Sequence, residues 1–301
     1  MAGHESKKAI YYALAANFGI AVAKGVAAFI TLSGSMLAET IHSLADCINQ
    51  ILLLVGMKRA QIPPDENHPL GYGKDAYFWS FIVAMMLFSV GGLFSIYEGV
   101  HKLNSTEPIK HAWIALIVLG LSIILESMSL MGALTQIKII RKEKSFFHWL
   151  KTTRNSELVV VLGEDIAAVL GLAIAFIFVL LAHYLNQPIF DALGSIFIGI
   201  ILLIVSVFLI IRMKALLIGK SADPEIQAII DSKIKSDRNI EKVFNTITIQ
   251  VGPYIMLSAK VKLTSGIDIE SACKAINQLE KALKETVPDI QWSFIEPDVF
   301  E

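Results

Sequence analysis

Cysteine is nearly absent: Cys47 and Cys273 are the only two in 301 residues. They stand in unrelated contexts, which excludes a disulfide framework and a thiolate zinc site and leaves the redox compartment open. Charge is scarce as well. Asp, Glu, Lys and Arg make up 18% of the chain against 54% apolar residues, a balance foreign to soluble domains. The formal net charge of −1 supplies no global field for nucleic acid, so no nucleic-acid partner is expected. No Ser/His/Asp set and no His-Glu-x-x-His run is present, which leaves an intramembrane metal hydrolase as a distant alternative. The N-terminal stretch lacks a convincing cleavage site and an Arg-rich, acid-poor character, and its apolar run is too long for a signal-peptide core, so neither a signal nor a transit peptide is expected from it. Residues 217–301 contain no histidine.

Long apolar runs fill the rest. A bilayer span needs roughly 20 mostly apolar residues, and six segments qualify: 9–32, 36–57, 76–100, 112–137, 156–183 and 189–212. Ser33-Gly34-Ser35 and Asn186-Gln187-Pro188 make tight turns between the first and last pairs. Lys7, Lys8, Lys58, Arg59, Lys74, the basic run from Lys138 to Arg154, Arg212 and Lys214 collect on one side, with only Lys102 and Lys110 on the other. The positive-inside rule then places both termini in the cytoplasm, with the plasma (inner) membrane of a bacterium as the expected location. Residues 1–216 are expected to be a six-helix transmembrane domain and 217–301 a small cytoplasmic one.

In the second part, Asp223-Pro224-Glu225 reads as a helix start. Ile247, Ile249 and Val251 alternate, Gly252-Pro253 turns the chain, and Ile255, Leu257, Ala259, Val261 and Leu263 alternate again, which predicts a hairpin. A helix with Ile269, Ala272, Cys273, Ile276, Leu279 and Leu283 on its core face follows, then a strand near 290–295. The order αββαβ suggests a ferredoxin-like antiparallel sheet with both helices on one face. About 80 residues can barely hold a core alone, so dimerisation would help.

Ionisable groups inside a span mark a site or pathway by default. Glu39, His42, Asp46 and Asn49 line one face of the second helix, and His42 and Asp46 can point at one ion. Imidazole plus carboxylate suits a borderline metal such as Zn²⁺; the alternative is a buried His–Asp hydrogen bond between helices. The fifth helix adds adjacent Glu164 and Asp165, the latter about 15–20 Å from its helix end at a rise of about 1.5 Å per residue. Asp46 lies at a similar depth. Lys24 falls at that level too and either neutralises an unoccupied acid or pairs with Glu164. Asn17 could line the inner half of a pathway, and Glu126 in the fourth helix reads as a supporting or proton-linked group. Glu98 and Asp191 lie near helix ends, where capping or interhelix bonding explains them. In the loop Asp65–Lys74, Asp65 and His68 could hold a metal, or the Pro/Gly-rich segment is an ordered, solvated turn.

These residues resemble the cation diffusion facilitator family. Ser33–Asp46 looks like its second-helix signature with HxxxD, and His68-Pro69-Leu70-Gly71-Tyr72-Gly73 looks like its His-Pro-x-Gly-Tyr-Gly loop. Val160–Gly171 and Asp191–Ser195 look most like the zinc transporter nine branch. The resemblance covers nearly the whole chain. It implies a homodimeric exporter of Zn²⁺, or of Mn²⁺, Fe²⁺ or Co²⁺, coupled to protons. The cation would be substrate, with no resident cofactor. Carried over, His42, Asp46 and Asp165 are ligands of a site between helices two and five. The usual fourth ligand falls on Val161, which has no lone pair, so Glu164, Glu39 or a water would complete the shell. The loop's usual second histidine is Tyr72, which leaves an Asp65/His68 site one ligand short. The tail lacks the family's metal ligands, which leaves it dimerisation.

Overall fold

The computed structural model describes residues 11, 14, 15, 17–26, 29, 34–103 and 112–300, the side chains of 34–42 excepted. Helical residues 17–26 (α1) precede α2 (Gly34–Arg59), α3 (Asp75–Met86), a π-helical stretch (Leu87–Leu93) and α4 (Phe94–Lys102). Then come α5 (Ala112–Arg141), α6 (Phe146–Thr152), α7 (Ser156–Leu185) and α8 (Ile189–Ile218). The chain ends with α9 (Pro224–Lys235), β1 (Ile240–Val251), β2 (Tyr254–Leu263), α10 (Ile269–Thr286) and β3 (Ile290–Pro297). Two compact units result. The first joins Met1–Lys58, Ala76–Ser145 and Ser156–Lys214; the second joins Arg59–Asp75, Phe146–Asn155 and Ala215–Glu301.

The expectation of six spans is corrected: the described residues carry four. Among the described residues, the helices long and apolar enough to cross a membrane are Asp75–Lys102, Ala112–Arg141, Ser156–Leu185 and Ile189–Ile218. Much of the segment 9–32 lies outside the described residues. α2 forms as a helix that is less apolar than α5, α7 and α8, and its buried face carries Ser43, Asn49 and Gln50 with Asp46 beside them. A run of apolar letters interrupted on one face is a helix before it is a span. Within this unit, backbones touch where side chains are missing. A Cβ on Gly199 would stand 2.8 Å from the Gly92 carbonyl oxygen, and one on Gly99 2.8 Å from that of Ala192. Small residues let α8 lie directly against the π stretch and α4, the packing that lipid-embedded helices rely on.

In the second unit, Asp223 caps α9 by accepting a hydrogen bond from Glu225 N at 3.1 Å, with Pro224 at the first position. β1 and β2 form the antiparallel hairpin, turned at Gly252 with φ 61°. The sheet, however, is mixed and three-stranded, order β1-β2-β3, with β3 parallel to β2. The antiparallel, ferredoxin-like expectation is thereby corrected: α10 is a crossover that returns the chain to the edge of β2 running the same way. Ile230, Ile234, Leu257, Val261, Leu279 and Leu283 form the core. Cys273, placed by the sequence on the core face, is exposed, and Ile269 is 85% exposed. The buried stripe of α10 is Ala275, Leu279 and Leu283, and Cys273 lies about 200° around the helix from Ala275.

Two loops belong to this same unit. Lys74 Nζ donates to the Leu217 carbonyl at 3.2 Å, and Arg154 donates to those of Ser221 (2.8 Å) and Ala222 (3.0 Å). A Cβ on Gly73 would meet the Val251 carbonyl oxygen at 2.5 Å, so only glycine lets the loop backbone lie on the end of β1.

Candidate functional site

α2, α5 and α7 each bring an acid into the interior of the first unit. Asp46 is half-buried on α2, Glu126 is 5% exposed on α5, and Glu164 and Asp165 are buried on α7. They are electrostatic neighbours: Asp165 of Asp46, Glu126 of both, and Glu164 of all three. α5 and α7 pack along each other, and Ser129, one turn beyond Glu126, donates to Asp165 Oδ2 at 3.2 Å. That bond leaves Asp165 Oδ1 as a second acceptor in the interior. Acids gathered from three helices without packing necessity are what a site for a positively charged species requires.

Glu164 is differently engaged. Asn49 Nδ2 donates to its Oε1 at 2.7 Å, and Gln50 Nε2 donates to its Oε2 at 3.2 Å. Asn17 Nδ2 in turn donates to Gln50 Oε1 at 2.9 Å. A hydrogen bond of this kind contributes about 0.5–1.5 kcal/mol net. The side-chain oxygens of Asn17 and Asn49 are buried and accept no hydrogen bond from the described residues, so two further acceptor oxygens stand in this interior. Lys24, 3% exposed on α1, is an electrostatic neighbour of Glu126. Val161, one turn before Asp165, is fully buried.

The side chains of Glu39 and His42 lie outside the described residues, so the structure brings together Asp46, Glu126, Glu164 and Asp165 without them. Among the described residues no group of three or more His, Cys, Asp or Glu is placed to hold a metal ion. Glu98 and Asp191 both meet Lys102, at 3.0 and 3.7 Å, which joins α4 to α8 near their ends.

In the loop, Asp65 is taken up by its own neighbours. The Tyr72 hydroxyl donates to Oδ2 at 2.7 Å, the His68 backbone N–H to Oδ1 at 2.6 Å, and His68 Nδ1 lies 3.3 Å from the same oxygen. The Tyr72 hydroxyl, foremost, holds the Asp65 carboxyl below its ordinary value, with the His68 N–H assisting. His68 and Tyr72 rings lie 4.2 Å apart. The loop is hydrogen-bonded within itself and exposed to solvent.

Sequence reasoning passed over Gln50 and Ser129. Both carried a signal: Gln50 stands four residues after Asp46, and Ser129 three after Glu126, each on the face of the acid.

Residues 10–218 match the family model for the cation efflux transmembrane domain. Over 282 residues the chain is 29% identical to metal tolerance protein C4 of Arabidopsis thaliana, a match covering 93% of this chain and 61% of that protein. Over 260 residues it is 31% identical to the mitochondrial proton-coupled zinc antiporter SLC30A9 of Homo sapiens, covering 86% of this chain and 45% of that one. The manganese efflux system protein MneP of Bacillus subtilis is 25% identical over 297 residues, covering 95% and 93%. The chain thus spans about half the length of the first two relatives.

Proposed function

This chain belongs to the cation efflux family, also called cation diffusion facilitators, and from that premise we propose that it is a divalent-cation transporter exporting Zn²⁺ in exchange for protons. It is a multi-pass integral membrane protein. The observation that carries the reading is the buried Asp165 of α7, bonded to Ser129 of α5 at 3.2 Å, with Asp46 and Glu126 as its electrostatic neighbours from α2 and α5. We place the cation on Asp46 and Asp165, with His42, one turn before Asp46, supplying an imidazole. Water or Glu39 completes the shell, because both oxygens of Glu164 are held by amides. Ser129 fixes Asp165, and Asn17, Lys24, Asn49 and Glu126 line or support the path.

Ligands must be deprotonated to bind metal, so protons compete with the cation for the same atoms. A bundle that exposes the site alternately to each side then exchanges one for the other. The distribution of Lys and Arg supports cytoplasmic termini and export from a bacterial cytoplasm. Residues 217–301 serve as a dimerisation domain between two copies. Its support is the outer sheet face, where Ile247, Ser258 and Phe294 form one row and Ile249, Met256 and Trp292 the next, with Ile247 49% and Phe294 57% exposed. The Asp65/His68 loop takes no part in binding the cation.

A second reading keeps the machine and changes the cargo. Carboxylates outnumber imidazoles, which suits Mn²⁺, and one relative is named for manganese efflux. Sealed proteoliposomes holding the purified chain, given Zn²⁺, Mn²⁺, Co²⁺ or Fe²⁺ with a pH gradient, separate the two. Zn²⁺ moving fastest supports the first reading, Mn²⁺ the second, and no flux of any cation contradicts both.

A further inference from the structure

Glu164 sits beside a proposed ligand, yet its bonds run to neutral amides on another helix. Asn49 and Gln50 follow Asp46 by three and four residues, so they lie one turn from it on the same side of α2. Glu164 immediately precedes Asp165 on α7. The pairs Asn49–Glu164 and Gln50–Glu164 therefore join α2 and α7 one turn from Asp46 and one residue from Asp165, the two acids that the cation would bridge. One bond would let the helices swivel about it. Two bonds to separate oxygens of one carboxylate fix both rotation and axial slide.

Gln50 is the residue that makes this work. It is 0% exposed, and its amide could face either way in a neutral setting. Asn17 Nδ2 occupies its oxygen at 2.9 Å, which leaves Nε2 to face Glu164 at 3.2 Å. A donor is thus presented to an acceptor by a third helix segment, α1. We infer that Gln50 is a positioning residue: with Asn17 behind it, it holds Glu164 as an interhelix strap that sets the separation of Asp46 and Asp165, and Glu164 does not touch the cation. The inference rests on the transport reading and adds to it a residue that sets how well the cation fits.

An exchange of the two side chains tests it. Gln50→Glu puts a second carboxylate against Glu164, and Glu164→Gln weakens the acceptor; each alone breaks the strap. In Gln50→Glu/Glu164→Gln every bond is rebuilt. The carboxylate now stands on α2, accepting from Asn17 and from the new amide at position 164, whose oxygen still receives Asn49. In proteoliposomes loaded against Zn²⁺, each single variant should raise the KM for zinc about tenfold with kcat changed less than about threefold, and should melt below the parent. The double variant should return KM to within about threefold of the parent and recover the melting temperature. A double variant as impaired in KM as Glu164→Gln would overturn the inference, since the carboxylate would then be needed at position 164 itself, on the ion. Parent vesicles that move no zinc would contradict the transport reading instead. The melting temperatures would then decide the strap alone: recovery in the double variant supports it, and no recovery overturns it.

Discussion

The two units invert each other. The first buries Asn17, Lys24, Asn49, Gln50, Glu126, Glu164 and Asp165 while leaving Leu121, Met128, Phe197 and Ile204 exposed. The second buries Ile230, Ile234, Leu257 and Leu283 completely, and its ion pairs, such as Lys262–Glu241 and Lys274–Glu270, stand at the surface. The difference lies in the solvent. Lipid is as apolar as leucine, so apolar side chains gain nothing by leaving it, and helices associate through close packing and hydrogen bonds. Water drives the same side chains inward in the tail. A charged group buried in the first unit is therefore a cost that needs a purpose, whereas in the second the charges stand at the surface and the buried polar groups, such as Gln250, are hydrogen-bonded to the backbone.

One substitution made twice breaks the symmetry most strongly. Ile204 on α8 is 65% exposed and Ile269 on α10 is 85% exposed. Ile204→Asp should cost about 2.5–3.5 kcal/mol of membrane insertion and sharply lower the amount of chain recovered in the membrane. Ile269→Asp, in the first turn of a capped helix, should leave folding within about 0.5 kcal/mol of the parent. Comparing the two variants' yields and melting temperatures checks this; equal effects would mean that Ile204 does not face lipid.

A smaller effect concerns the loop. Asp65 titrates below its ordinary value because Tyr72 donates to it. A carboxyl whose folded value is lowered stabilises the folded state above its ordinary titration range and loses that contribution as pH falls through the lowered value. Tyr72→Phe should raise the Asp65 value and flatten the dependence of melting temperature on pH below about 4. Because the group is solvated, the shift should stay within about 2 °C. A larger loss would assign the loop a structural role beyond its own turn.

How much was legible differs between the units for the same reason. The alternation of Ile247, Ile249 and Val251, which pair with Ser258, Met256 and Tyr254, and that of Ile255, Leu257 and Ala259 beyond Gly252-Pro253, give the hairpin because alternation and turn chemistry are local. The direction of β3 is not local. It depends on which edge α10 delivers the chain to, and nothing in residues 290–297 encodes that. The stripe on α10 was read too wide, which put Cys273 inside; the buried positions narrow to spacings of four. In the first unit, Asp46, Glu126, Glu164 and Asp165 stood out because a charge in an apolar run is costly. Gln50 did not, since an amide costs less, and its partner Glu164 is 114 residues away. The span count differs at the first two segments: much of 9–32 lies outside the described residues, and α2 carries Asp46, Asn49 and Gln50 among its apolar residues.

The most direct test of the central claim is zinc flux driven by a proton gradient. The full chain is placed in sealed proteoliposomes, a pH difference is imposed, and Zn²⁺ movement is followed with a trapped indicator for the parent, Asp46→Ala and Asp165→Ala. Flux should grow with the pH difference in the parent and fall to the level of empty vesicles in both variants, with all three chains equally folded and incorporated. Flux in Asp46→Ala or Asp165→Ala comparable to the parent's would contradict a cation site built on those two acids.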